Sequence, residues 1–402
     1  MDELSFRLVD SIEQIGQQTW AAIVGTSMPF MRYEFLSALE SSGAVSAKTG
    51  WKVQHLQVMH QQDVVALMPL YEKYHSYGEY VFDWAWAEAY ERNGLEYYPK
   101  LVNAVPFTPV IASKLAIAKH FDDEQQQQLV TVLVNFITGK VSSGQYSGWH
   151  SLFITPQLLA QYQSSALIAR LGTQFHWCNR DYHHFDDFLA AMTSRKRKNI
   201  RKERQCVAKH NLSFEMLEGE QITANDWQAF YHCYMHTYLK RSGHSGYLNQ
   251  AFFQTLGRTM PENVRLLMVY QHSDKPVEDS SENTEPELIA AALFFVSDTH
   301  LYGRYWGALK EIDGLHFETC YYQGIDYAIN QNLQVFDAGA QGEHKVLRGF
   351  EPVAMHSVHY IEHQAFSTAI EDFCGQERHN MAQYMSQLDE LLPYREPVKE
   401  SD

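Results

Sequence analysis

The sequence predicts a mixed α/β protein of two domains, and three observations carry that reading. Short apolar runs of strand period alternate with stretches of helical period. The order of these elements repeats in the two halves of the chain. The length, 402 residues, exceeds what one ordinary hydrophobic core organises. A composition of 45% hydrophobic and 20% charged residues suits a packed chain and not a disordered one.

In the first half, strands are expected at 52–59, 64–71, 100–105, 149–154 and 174–179, with helices at 122–140 and 156–170. The helix at 122–140 opens at Asp122 with acidic residues in its first turn, where the helix dipole favours them. In the second half, helices at 224–240 and 249–259 precede strands at 264–271, 287–296 and 300–306. A helix at 316–330 then leads to strands at 333–337 and 355–361. Paired helices, a meander of strands and a helix crossing to a further strand follow the order of an acetyltransferase fold, and the order occurs twice. The expected class is therefore α/β (α+β) with tandem GNAT-like domains at 1–180 and 181–402, each a mixed, mostly antiparallel sheet flanked by helices. The first domain carries an aromatic insertion at 73–109. The second carries a basic helix at 194–209, an acidic loop at 273–287 and a C-terminal helix at 366–392.

A formal charge of −16 argues against DNA as a partner, because counterion release needs clustered Lys and Arg, so any anion site must be local. The longest apolar run, 288–296, has nine residues, whereas a bilayer-spanning helix needs about 20. No transmembrane segment and no signal peptide are expected, and the reading is of a cytoplasmic protein, with the inner membrane face open for peripheral contact. Five scattered cysteines without a CxxC pair point to a reducing compartment without disulfides or zinc. Neither HExxH, a GxSxG elbow, a P-loop nor a dinucleotide fingerprint occurs, so neither a metal nor a tightly bound cofactor is expected. Pairs such as His232 and His236, or the group His356, His359 and His363, lack an acidic ligand at fixed spacing.

Three stretches stand out. SRKRKNIRKER places seven of the 32 basic residues within ten positions of an acidic chain. At helical spacing Arg197, Arg201 and Arg204 share one face while Ile200 and Val207 anchor the other. Their mutual repulsion, and their opposition to the helix dipole at Ser194, would be relieved by a phosphate-bearing partner or by nearby carboxylates. The second stretch, from 73 to 109, interleaves aromatics with His75, Glu79, Asp83, Glu88 and Lys100. It reads either as core or as the wall of a cleft in which His75, Tyr77, Glu79, Asp83, Trp84 and Trp86 hold an amine-bearing substrate. The third runs from GRYWG through LHFETCYYQGIDYAI to GAQGEHKVLRGFEPV. His316, Glu318 and Glu343 are its available acid–base groups, needed because an amine must lose a proton as it attacks a thioester or ester.

Together these strings resemble the FemAB-like predicted N-acyltransferases, a GNAT-superfamily family of bacterial type that carries a peptidoglycan biosynthesis and recognition label. The similarity runs from about Pro29 to Tyr384. It implies a Fem-like tandem arrangement, and a lysine after a late strand, here Lys345, that holds substrate phosphate and the reacting centre. Where an acetyltransferase shows Q/R-x-x-G-x-G/A, this chain departs from the pattern with Arg304-x-x-Gly307 followed by Leu309.

The resemblance and the residues together give an expected activity, transfer of an acyl group from a thioester, acyl-CoA as co-substrate, to a primary amine in the cleft between the domains, with a lipid or sphingoid amine as one acceptor. Catalytic roles fall to Glu318, His316, Glu343 and Lys345. Donor binding falls to Arg304, Gly307, Lys345, Arg348, Arg197 and Arg201. Tyr305, Tyr322 and Gln341 join the aromatic stretch in holding substrate. Two alternatives stay open: Fem-like aminoacyl transfer from tRNA to a cell-wall precursor, and a non-catalytic envelope or lipid recognition protein.

Overall fold

The computed structural model describes residues 4–163, 166–273, 285–340 and 342–395. The chain divides into two compact units, Met1–Thr173 with Ala354–Tyr384, and Gln174–Val353 with Met385–Asp402. The sequence reading ended its first domain at residue 180 and gave 354–384 to the second. The difference arises because a late strand and helix pair back onto early elements, a long-range contact that local periodicity does not encode.

The first unit builds two sheets. One joins Leu4–Val9, His55–His60, Asp63–Met68 and Ala116–Ile117, all antiparallel. The other runs from the edge strand Trp51–Val53 through Tyr71–Lys73 and Lys100–Asn103 to Gly148–Ile154, which pairs in turn with residues 356–361. The single strands expected at 52–59 and 64–71 are thus each two strands. Each breaks, near Gln54 and at Pro69, and serves both sheets; Pro69 lacks the N–H that continued pairing requires. Helix Asp123–Lys140 begins as expected, with Asp122 and Gln125 forming a capping box. Its buried Leu129, Val130, Leu133, Val134 and Ile137 pack on Leu56, Val58, Val65 and Trp149. The helix expected at 156–170 ends at Tyr162, and Ile168–Cys178 is a strand. Its alternation around Gly172 fits a pleated segment better than a helix. Helix Trp84–Arg92, hidden in the aromatic stretch, buries Trp86 and Tyr90 against Ile370 and Cys374 of Gln364–Glu390.

The second unit is a meander of Leu212–Glu218, Val264–Gln271, Glu287–Val296 and His300–Ala308. Val335–Asp337 then runs parallel to 300–302 and antiparallel to 176–178, setting Asp337 opposite His176. Helix Ala224–Ser242 lies so close to the meander that a Cβ on Gly307 would sit 1.9 Å from the Cys233 carbonyl oxygen. The expected helix at 316–330 is present as one run from Leu315 to Asn330 with a π turn at Glu318–Tyr322. The acidic loop falls largely outside the described residues.

A lysine without a carboxylate is sealed in the first unit. Lys114 is buried and donates to the carbonyls of Val110 at 2.8 Å and Phe153 at 3.2 Å. Burial drives its pKa down to about 7. The folded protein therefore releases this proton near pH 7 while the unfolded chain keeps it to the ordinary lysine value, so stability rises with pH between those limits. The slope is at most about 1.4 kcal/mol per pH unit. Urea titrations across pH 6 to 10 should show Lys114→Met gaining most on the wild type at the acid end, with the gain shrinking as pH rises. A pH-independent difference would contradict the assignment.

Candidate functional site

In the second unit the residues singled out from sequence gather around one buried ion pair. Arg304 and Asp337, both side chains 2% exposed, meet at 2.6 Å and 3.1 Å through two N–H donors. Burial alone would raise the Asp337 pKa, but Arg304 and His176 hold it far below the usual carboxylate range. The Gly339 N–H also donates to Asp337, which fixes the turn after the strand. Into that turn reaches Lys345, buried, donating to the carbonyls of Ala338 at 3.0 Å and Gly339 at 2.7 Å. Burial lowers its pKa to about 8, with Asp337 opposing and Arg304 assisting. Two of its three N–H donors are thereby used, and the third has no partner among the described residues.

Around Lys345 lies a group of rings. Tyr321 OH is 2.9 Å from His344 Nε2, and the His316 ring stands 5.3 Å from Tyr321 and 4.8 Å from Trp306. Burial, then Arg241, His344, Lys345 and Arg348, push the His316 pKa down to about 3, so this imidazole is neutral at physiological pH. Arg241 was missed by the sequence reading. It is exposed one helical turn beyond Thr237, whose hydroxyl accepts from the Ala308 N–H at 2.9 Å, so the helix carries its charge toward the residues after that strand.

Other expected residues are committed elsewhere. Glu318, proposed as a base, is buried under Arg204, which contacts it at 2.9 Å, and Gln323 donates to it as well. Arg348, proposed for phosphate, is instead paired with Glu203 at 2.9 Å and lies 3.6 Å over the Phe317 ring. Tyr322 donates to the same Glu203, and Tyr305 packs in the core against Tyr234 and Phe253. Of the residues expected to bind the donor, Arg304 neutralises Asp337 and Gly307 makes room for a helix. Glu343 is exposed. Gln341 lies outside the described residues. Helix Ser194–Ala208 forms as expected with Ile200 and Val207 buried. Arg201 reaches Asp186 at 2.8 Å, Arg197 turns to Ser194 at 3.5 Å, and Arg195, Lys198 and Lys202 are exposed.

In the first unit, Glu79 and Asp83 do not await an amine, because Lys100 already supplies one. Its buried ammonium donates to Glu79 at 2.8 Å, to Ser76 at 3.0 Å and to Asp83. Burial opposes that charge, yet the two carboxylates hold the Lys100 pKa above the ordinary lysine value. Burial pushes Glu79 up to about 7 against the pull of Lys100. From Asp83 a polar chain continues through Tyr97 OH at 2.6 Å toward His150, which meets His359 at 2.6 Å. Trp86 packs edge-on to His359. His75 is half-buried on the Thr49 carbonyl, while Tyr77 and Trp84, 55% and 41% exposed, touch each other at the surface.

The chain belongs to the FemAB-like family, described as peptidoglycan biosynthesis/recognition, whose model matches residues 11–396. No curated protein matches the sequence. The fold is similar to that of FemX, with a TM-score of 0.53 and 12% identity over 92% of this chain and 100% of FemX. The C-terminal domain of a putative lysylphosphatidylglycerol synthetase from Agrobacterium fabrum gives 0.48 and 11% over 90% of this chain and 96% of its own. A tandem GNAT protein from the clavulanic acid biosynthesis pathway gives 0.43 and 10% over 90% and 99%. The expected FemAB-like membership is thus borne out, and the expected mixed α/β architecture is the fold this chain shares with FemX. No helix among the described residues is long and apolar enough to cross a membrane.

Two substitutions separate structure from chemistry here. Gly307→Ala should lower stability by about 1–3 kcal/mol through overpacking against Cys233, visible as a fall in Tm. An unchanged Tm would restore the phosphate-loop reading. Lys100→Met should cost about 3–5 kcal/mol by stranding two buried carboxylates, and Glu79→Gln with Asp83→Asn in the same chain should recover most of it in urea titrations. A triple variant no better than the single one would show that the charges are not what Lys100 balances.

Proposed function

We propose that this protein forms amides, transferring an acyl group from a phosphate-bearing carrier to a primary amine, with an acyl-CoA thioester as the donor. The observation that carries the reading is Lys345, a buried lysine with one N–H to spare, held by the turn that Asp337 and Arg304 fix. As the amine nitrogen attacks the carbonyl carbon, a C–N bond forms and charge develops on the carbonyl oxygen. The third N–H of Lys345 donates to that oxygen. The carrier's C–S or C–O bond then breaks with the electron pair going to the carrier, the amine's proton is taken by the exposed imidazole of His344, and that imidazole returns it directly or through solvent to the departing thiolate or alkoxide, which leaves as thiol or hydroxyl. With Arg304, Gly307 and Arg348 committed elsewhere, the carrier's phosphates fall to Arg241 and the exposed cations of helix Ser194–Ala208.

The same exposed row, Arg195, Lys198 and Lys202, favours a second donor, the ester of a charged tRNA, because it offers several separate phosphate contacts. In that reading the acceptor is the amine of a cell-wall precursor, in keeping with the family's description. One assay separates the two. Purified protein is incubated with long-chain acyl-CoA or charged tRNA and a panel of amines, and new amides are sought by mass spectrometry. Product from acyl-CoA supports the first reading, product from tRNA the second, and no product with either donor points to a recognition protein. Lys345→Met should reduce kcat about 10²- to 10³-fold. Because Lys345 must be charged, the rate should fall as pH rises through about 8. A rate that is flat to pH 10 would contradict its role.

A further inference from the structure

In the second unit Tyr321 Oη lies 2.9 Å from His344 Nε2, and both rings are held in place. Tyr321 is 3% exposed and packs against Phe317 and Phe350. The His344 imidazole is exposed, yet it rests on Gly342, where an added Cβ would stand 2.5 Å from its Cε1, and Phe317 lies 5.3 Å away. The His344 carbonyl accepts from Arg348 at 2.8 Å, which fixes the backbone beneath the ring.

Burial raises the Tyr321 pKa, while burial, Arg348 and Lys345 lower that of His344, so both groups are neutral at physiological pH. One proton therefore lies between the phenol oxygen and Nε2, and it has two possible owners. If Nε2–H donates, the phenol proton finds no acceptor among the described residues, and a buried hydroxyl goes unsatisfied. If the phenol donates, Nε2 accepts with its lone pair and the imidazole proton sits on Nδ1. The second arrangement satisfies every group.

We propose that Tyr321 holds His344 in the Nδ1–H tautomer and forms with it a two-residue proton relay. The tautomer follows from the contact alone, whereas its use in catalysis rests on the transferase reading above. In that reaction the amine's proton passes, directly or through one water, to the Tyr321 oxygen as the phenol proton moves to Nε2. The Nδ1 proton goes to the departing thiolate or alkoxide. One proton enters the pair and one leaves, so both residues end neutral. Without the phenol, the exposed imidazole would take up the Nε2–H form that a free imidazole favours in water.

The test uses the full chain with its nitrogens isotope-labelled and a long-range proton–nitrogen correlation spectrum of the histidine rings, which reports the nitrogen that carries each proton. His344 is identified by the signals that vanish in His344→Gln. The wild type should show His344 protonated at Nδ1, and Tyr321→Phe should move the proton to Nε2, a change that lost packing alone does not produce. With a donor and amine that give product, Tyr321→Phe and His344→Gln should each lower kcat about 10²-fold with little change in KM, and the double variant should lose no more than either. The spectrum is decisive even where no donor gives product, so failure of the transferase reading is told apart from failure of the tautomer assignment. A wild-type proton on Nε2, a tautomer unchanged in Tyr321→Phe, or losses that add in the double variant would overturn the proposal.

Discussion

The second unit turns on one buried ion pair. Removing either Arg304 or Asp337 would leave a charge in a site with almost no access to water, a cost far above that of any surface contact. Because the pair is closed, strand Val335–Asp337 is pinned beside His300–Ala308, and the turn at Ala338 and Gly339 presents two carbonyls inward. Those carbonyls give Lys345 a place to lie without a carboxylate of its own. A lysine solvated by carbonyls alone keeps its proton weakly, and that is why its pKa falls toward the physiological range while Asp337, one strand-end away, still prevents a deeper fall.

The first unit solves the same problem with the opposite stoichiometry. Lys100 is shared by two carboxylates, so one of them, Asp83, remains ionised while the other, Glu79, is left near neutrality. The loop that carries them is turned inside out relative to ordinary surface loops. Ser76, Glu79 and Asp83 point inward, and Tyr77, Phe82 and Trp84 face water. Hydrophobic burial alone would favour the reverse, so the ion cluster must set the loop's conformation.

What the sequence made legible was local. The capping box at Asp122 and Gln125, the amphipathic basic helix with Ile200 and Val207 inside, and the meander of the second half all depend on neighbours within a few residues. The candidate site was legible only in part. His316 and Lys345 are both present in one ring of side chains, but Arg241 contributes from a helix some seventy positions away and nothing in its own surroundings marks it. Pairings such as Arg304 with Asp337, Arg204 with Glu318 and Arg348 with Glu203 span 33 to 145 residues, so the carboxylate partners of these basic side chains are not visible in the local sequence. Gly307 misled for a related reason: a glycine needed for close helix packing is indistinguishable in sequence from one needed for a phosphate loop.

The division of strands 52–59 and 64–71 between two sheets likewise has no local signature beyond Pro69, since each half alternates as a single strand would. Likeness to FemX at 12% identity extends the fold assignment and leaves the chemistry to the residues themselves.

The most direct measurement is the titration of the Lys345 side chain by NMR in the intact protein, following its ε-methylene and ammonium signals from pH 6 to 11. A midpoint near 8 is expected from a lysine held by carbonyls and restrained by Asp337. A midpoint above about 10, the ordinary value for a solvated lysine, would mean that the side chain is not enclosed as described and that the reaction centre must lie elsewhere.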